Sequence, residues 1–136
     1  MCPYRRAVRA GRRVLRGSAK EAGAAGERAA ADYRRGEGFA IVATNWRSGR
    51  YELDIVAERG DCVHFVEVKC RRAGAMTSPE EAIDMKKVRS LFRAANDYIS
   101  ANGVDKECRM DLIAVDAFPD GTFNIRYMPD AIQSDW

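Results

Sequence analysis

A chain of 136 residues has room for one hydrophobic core and one domain. A hydrophobic share of 46% excludes a disordered chain, and no apolar run approaches the roughly 18 residues that cross a bilayer. The net charge of +3 is uneven: residues 1–20 hold seven basic side chains and no acid, leaving 16 basic against 20 acidic residues in the rest.

The first segment is therefore a basic N-terminal arm over residues 1–20, followed by a single domain over residues 21–136. Arg5, Arg6, Arg9, Arg12, Arg13, Arg16 and Lys20 suit a polyanion, nucleic acid before membrane because apolar residues in the arm are few. The alternative is a solvated tail. The N-terminus lacks the apolar core of a secretory signal, which makes the cytoplasm the expected compartment. Cys2, Cys62, Cys70 and Cys108 are scattered, with His64 the single histidine, so reduced thiols are expected rather than a zinc site.

Ser18 with Glu21 resembles a capping box, and the alanine-rich run after it predicts a helix ending near Gly36 or Gly38. Gly23 and Gly26 weaken its start. Phe39–Trp46 reads as a strand. Tyr51–Ala57 and Cys62–Cys70 read as a hairpin turning at Arg59-Gly60. That turn sets Leu53 opposite Val66 and Ile55 opposite His64, with Tyr51, Leu53, Ile55, Val66 and Val68 on one packed face. Glu52, Asp54, Val56, Val63, Phe65, Glu67 and Lys69 fall on the other.

Ser78-Pro79-Glu80-Glu81 reads as a helix start, and Ala82, Val88, Leu91, Phe92, Ala95 and Ile99 repeat at helical spacing up to a stop at Asn102-Gly103. Arg109–Ala117 and Thr122–Met128 form a second hairpin across Pro119-Asp120-Gly121. The order αβββαββ predicts an α/β fold, a mixed sheet flanked by helices.

Chemistry concentrates on the central hairpin. Glu67 and Lys69, two apart on a strand, share a face. Asp54 lies diagonally across from Glu67, roughly 7–8 Å away between backbones, near enough for two carboxylates to converge on one cation. Such an all-oxygen setting suits Mg²⁺ or Mn²⁺. Lys69 would orient a water or stabilise charge on a phosphate. A pair like Glu67 and Lys69 is, taken alone, more often a solvated strand face.

The stretch Asp54…Glu67-Val68-Lys69, between one helix and the next, resembles the PD-(D/E)xK nuclease superfamily with its restriction-endonuclease-like αβββαβ core. More narrowly, the chain resembles the YraN-like family of small bacterial proteins, similar in fold to Holliday junction resolvases. The motifs that carry this are Gly26-Glu27, Glu52-Leu53-Asp54-Ile55-Val56-Ala57, Phe65–Arg72, Pro79-Glu80-Glu81-Ala82 and Met110–Val115. The resemblance implies that Asp54 and Glu67 are metal ligands, Lys69 the catalytic lysine, Glu27 an additional acid on the first helix, and that Lys87 faces the site. Leu53 stands where the superfamily's proline would precede Asp54.

The reading that follows is a Mg²⁺-dependent endonuclease-like protein cutting branched or otherwise non-standard DNA. Arg71 and Arg72, after the catalytic strand, would hold a phosphate or simply be solvated. A homodimer would suit a two-strand cut. The alternatives are a non-catalytic nucleic-acid-binding module with the same fold, or a protein–protein adaptor. His64 reads as a satisfied core histidine, Asp111 as the ion-pair partner of Arg109, and Trp46 with Arg47 as a base-stacking or core-packing pair. Cys70 is too remote from any base to act as a nucleophile.

Overall fold

The β-branched and aromatic runs expected as strands pair into one sheet, with a helix on each face. A computed structural model describes residues 5–12, 19–72, 83–120 and 122–132. Its elements are β1 (Arg5–Arg12), α1 (Ala19–Gly36), β2 (Ala40–Ser48), β3 (Tyr51–Arg59), β4 (Cys62–Arg72), α2 (Met85–Asn102), β5 (Glu107–Ala117) and β6 (Thr122–Met128). The six strands run in the order β1-β6-β5-β4-β3-β2. Neighbours are antiparallel except β4 and β5, which are parallel and joined by the α2 crossover that such a pair needs. The mixed sheet flanked by helices is the architecture expected.

Both faces of the sheet are covered. Ala30 and Ala31 of α1 pack with Ile55, Val66, Ile113 and Ile125. On the opposite face Val88, Leu91 and Tyr98 of α2 pack with Val56, Phe65 and Leu112. Central strands buried on both sides therefore read as near-continuous apolar runs, as Val63–Val68 does. Among the described residues, no helix is long and apolar enough to cross a membrane.

Three expectations change. Residues 5–12, placed in the arm, form an edge strand against β6. Its sequence, rich in arginine and with one valine, carries little strand signal. The Ser18 cap and the Ser78–Glu81 helix start lie outside the described residues. Ile83 and Asp84 are not helical, and α2 begins at Met85, where the Asp84 carboxylate caps the helix by accepting from Lys87 N–H at 2.8 Å.

The central hairpin turns at Gly60-Asp61 instead of Arg59-Gly60. Ile55 pairs with Val66 and Arg59 with Cys62, so each pairing is displaced by two residues from the expected register. Gly60 has φ +60°, in the left-handed region that a tight turn requires and glycine adopts without penalty. An even displacement keeps the faces of β4 as read. It does not explain Leu53, which lies on the α2 side with Val56, not with Ile55.

Candidate functional site

The displacement of Leu53 leads to the site. Thr44 pairs with Ile55, and two residues along Trp46 pairs with Leu53. Ile55 packs toward α1, whereas Leu53 and Trp46 pack toward α2. Strict alternation would keep residues two apart on one side. The β2–β3 ribbon therefore turns over between these rows. Asn45, at φ +50°, lies in that turn with a left-handed backbone that non-glycine residues rarely adopt. Asp54 is the residue between Leu53 and Ile55. The β3–β4 ladder ends at Ile55–Val66, and beyond it Val68 N–H donates to the Asp54 side chain at 2.9 Å. Asp54 thus leaves the strand pattern and reaches into the fork between β3 and β4.

In that fork it meets Glu67, closely enough for the two carboxyls to share a proton. Burial, then the hydrogen bond and charge of Glu67, push the Asp54 carboxyl up to about 8, against the opposing effects of Val68 N–H and Lys87. Glu67 is only 3% exposed. Lys87 Nζ stands 3.2 Å from Glu67 Oε2, and, against the effect of burial, the charge and hydrogen bond of Glu67 raise the lysine's pKa.

Glu27 approaches from α1. Burial, followed by the charges of Asp54 and Glu52, raises its pKa, while the Asn45 amide works in the other direction. With its amide nitrogen facing the acids, Asn45 donates to Glu27 Oε2 at 3.0 Å and to Glu52 Oε1 at 3.2 Å. A cavity of about 490 Å³ opens on this side, lined by Glu27, Arg28, Asp32, Arg35, Asn45 and Asp54 among others.

The remaining expected site residues separate into two groups. Lys69 follows Glu67 on the same strand face, half-buried, and its ammonium makes no ion pair with a described residue. Lys87 faces the site through Glu67. Arg72 is exposed at the end of β4. Arg71 is held by Asp116 at 3.0 Å, and Arg126 binds the same carboxylate at 3.0 Å, so Arg71 belongs to a structural cluster.

Of the other candidates, His64 is buried and satisfied, with Nδ1 2.6 Å from Asp111 Oδ2. Asp111 does not pair with Arg109, which binds Glu107 instead at 3.1 Å. As a residue on an inward row of β5, Asp111 is fully buried, beyond the reach of an exposed arginine. Trp46 packs edge-on against Tyr98 in the core, and Arg47 pairs with Glu52 at 3.6 Å. The Cys70 thiol, although its residue keeps some surface, is turned against Gly26, and burial pushes it up to about 11, unsuited to nucleophilic work.

Sequence reasoning missed Asn45, because an asparagine between Thr44 and Trp46 has no periodic signature, and Glu52, whose spacing of two from Asp54 was legible. It also missed Arg34, buried with its guanidinium 3.5 Å from the Phe39 ring and 3.7 Å from that of Tyr127.

Residues 26–115 match the sequence profile of Uncharacterised protein family UPF0102. A UPF0102 protein of Bacteroides thetaiotaomicron is 40% identical over 111 residues, covering 82% of this chain and 91% of its own length. One from Symbiobacterium thermophilum is 36% identical over 116 residues, 85% of this chain and 98% of its own. Another, from Oleidesulfovibrio alaskensis, is 44% identical over 95 residues, or 69% of this chain, which spans 47% of that relative's length. The matched region holds Glu27, Asp54, Glu67, Lys69 and Lys87 and leaves residues 1–25 outside. The chain thus belongs to Uncharacterised protein family UPF0102, the small bacterial family that its carboxylate and lysine motifs resemble.

Proposed function

We propose that this chain is a metal-dependent endonuclease-like enzyme that hydrolyses phosphodiester bonds of DNA, branched DNA foremost. The observation that carries the reading is the meeting of Asp54 and Glu67 in the β3–β4 fork, two inward carboxyls that oppose each other's ionisation, Glu67 almost wholly buried. A purely structural pair of this kind is costly, and strongly shifted acids cluster at working sites.

The donor set fits Mg²⁺ or Mn²⁺. Among the described residues no three His, Cys, Asp or Glu side chains converge on one point, so Asp54 and Glu67 would be the protein's share and water the remainder, a common arrangement for these ions. Bound there, such an ion supplies Lewis acidity toward a phosphoryl oxygen and an acidified water. Lys69, without an ion pair to a described residue, lies beside Glu67 to stabilise charge growing on the phosphate. Glu27, held by Asn45, adds a carboxylate on the α1 side able to hydrogen-bond and orient water. Lys87 and Arg72 supply positive charge on the approach of the phosphate backbone.

The test is a cleavage assay on four-way junctions, flaps, single strands and RNA, with Mg²⁺ or Mn²⁺. Lys69→Ala should abolish cleavage while sparing Mn²⁺ binding, and Glu67→Gln should weaken that binding. Wild-type protein that binds neither ion and cleaves none of these substrates would leave a nucleic-acid-binding module as the better reading.

A further inference from the structure

Two details of the Lys87–Glu67 pair go beyond a surface ion pair. The Glu67 side chain is 4% exposed, whereas the Lys87 side chain is 40% exposed. One end of the pair is locked in the fork and the other is open to solvent. The ammonium contacts Glu67 through one oxygen, Oε2, at 3.2 Å. The backbone of Lys87, by contrast, is anchored: its N–H is bonded to the Asp84 cap in the first turn of α2. The side chain is therefore the free arm of a fixed pivot, and a lysine arm has rotatable bonds enough to swing its charge.

We propose that Lys87 is a resident counter-ion that occupies the cation position at Glu67, and that a nucleic-acid phosphate draws it away to admit a divalent ion. This rests on the nuclease reading above and names how the same site is regulated. The ammonium and the divalent ion compete for Glu67 Oε2, so each weakens the binding of the other. A phosphate group is a second anion that Lys87 can reach from its solvent-facing side. Once Lys87 has turned to the phosphate, Glu67 is left as an uncompensated buried carboxylate, and its affinity for a divalent cation rises. Linkage makes the effect reciprocal: metal and nucleic acid strengthen each other's binding through this one side chain. Without nucleic acid Lys87 keeps the metal affinity of the site low, which restrains unprompted hydrolysis.

The experiment measures Mn²⁺ binding to the full chain by electron paramagnetic resonance, alone and with a short single-stranded deoxyoligonucleotide. The proteins compared are wild type, Lys87→Met, Lys87→Gln and Lys87→Arg, each checked for cooperative thermal unfolding. Removing the competing charge in the Met and Gln variants should tighten binding of Mn²⁺ alone on the order of tenfold. The oligonucleotide should then enhance binding less in these variants than in wild type, by a similar factor. Lys87→Arg, which keeps the charge, should behave as wild type. Wild type that binds Mn²⁺, with folded Met and Gln variants binding it no tighter, overturns this inference and leaves the nuclease reading intact. Failure of all four proteins to bind Mn²⁺, with or without the oligonucleotide, overturns both.

Discussion

Two inward acids on the strands that flank β4 show opposite ways of placing a carboxylate inside this fold. Asp111, on β5, is fully buried and takes three partners: His64 Nδ1 at 2.6 Å, the Tyr127 hydroxyl at 2.7 Å and Asp130 N–H at 2.8 Å. Burial alone would raise its pKa, but the hydrogen bonds from His64, Asp130 and Tyr127 outweigh it and hold the carboxyl below the usual range. Asp54 has one backbone donor and a second acid for a neighbour, and its pKa moves up. The first arrangement is complete and ties β4, β5, β6 and the chain beyond β6 together. The second is unfinished without an added cation or proton. Burial by itself does not decide which way the pKa of an inward carboxyl moves; the donor count does.

The largest effect should come from removing the completed acid. Asp111→Ala strands the His64 ring, the Tyr127 hydroxyl and the Asp130 amide together, and should cost about 3 kcal/mol in urea unfolding at pH 7. Because the folded pKa of Asp111 is depressed, its contribution is present above the ordinary aspartate range and fades as pH falls through the lower folded value. Wild type and variant should therefore draw closer in stability in acid. A loss under about 1 kcal/mol would break the comparison.

The unfinished acid should do the reverse. Asp54→Asn keeps an acceptor for Val68 N–H, gives Glu67 a donor and removes a carboxyl whose folded pKa is about 8. A raised carboxyl disfavours the fold increasingly as pH rises from the ordinary aspartate value to the folded one. The variant should thus be as stable as wild type near about pH 4 and more stable by about 2 kcal/mol near pH 8. Thermal unfolding across this range measures it. Equal stability at both ends would mean that Asp54 carries no burden, and the contrast with Asp111 would fall.

The smallest effect sharpens how Glu27 is brought to the unfinished acid. Its neighbour Gly26 packs against β4, and a Cβ there would collide with Cys70 Sγ. Gly26→Ala should destabilise by about 1 kcal/mol despite the better helix propensity of alanine, because the thiol must move. In a Cys70→Ala background the same change should stabilise by about 0.5–1 kcal/mol. A double-mutant cycle in urea reads the coupling, and additive effects would show that the close approach does not govern the placement of α1.

Much of the fold was legible in the sequence because burial leaves a periodic trace. The span of α1, the strand runs of β3 to β6 and the Asn102-Gly103 stop follow from propensity, caps and apolar patterning, which are local. The pairing of Asp54 with Glu67 was legible too, through the two-residue spacing of Glu67 and Lys69 and the hairpin that sets Asp54 alongside. What local pattern cannot reveal is a break in the pattern. The left-handed backbone at Asn45 turns the ribbon over, sends Leu53 to the α2 face and lifts Asp54 out of the ladder; asparagine tolerates that backbone but does not by itself mark it inside an apolar strand run. Nor does composition mark β1 as a strand, since its hydrogen bonds come from β6, an element more than a hundred residues away in the chain. The partner of Asp111 was misread for a related reason: Arg109 is near in sequence, but an inward row of a sheet takes its neighbours from other strands. Charges and candidate ligands are written in the sequence. Which of them are satisfied is decided only when distant strands bring, or withhold, their donors.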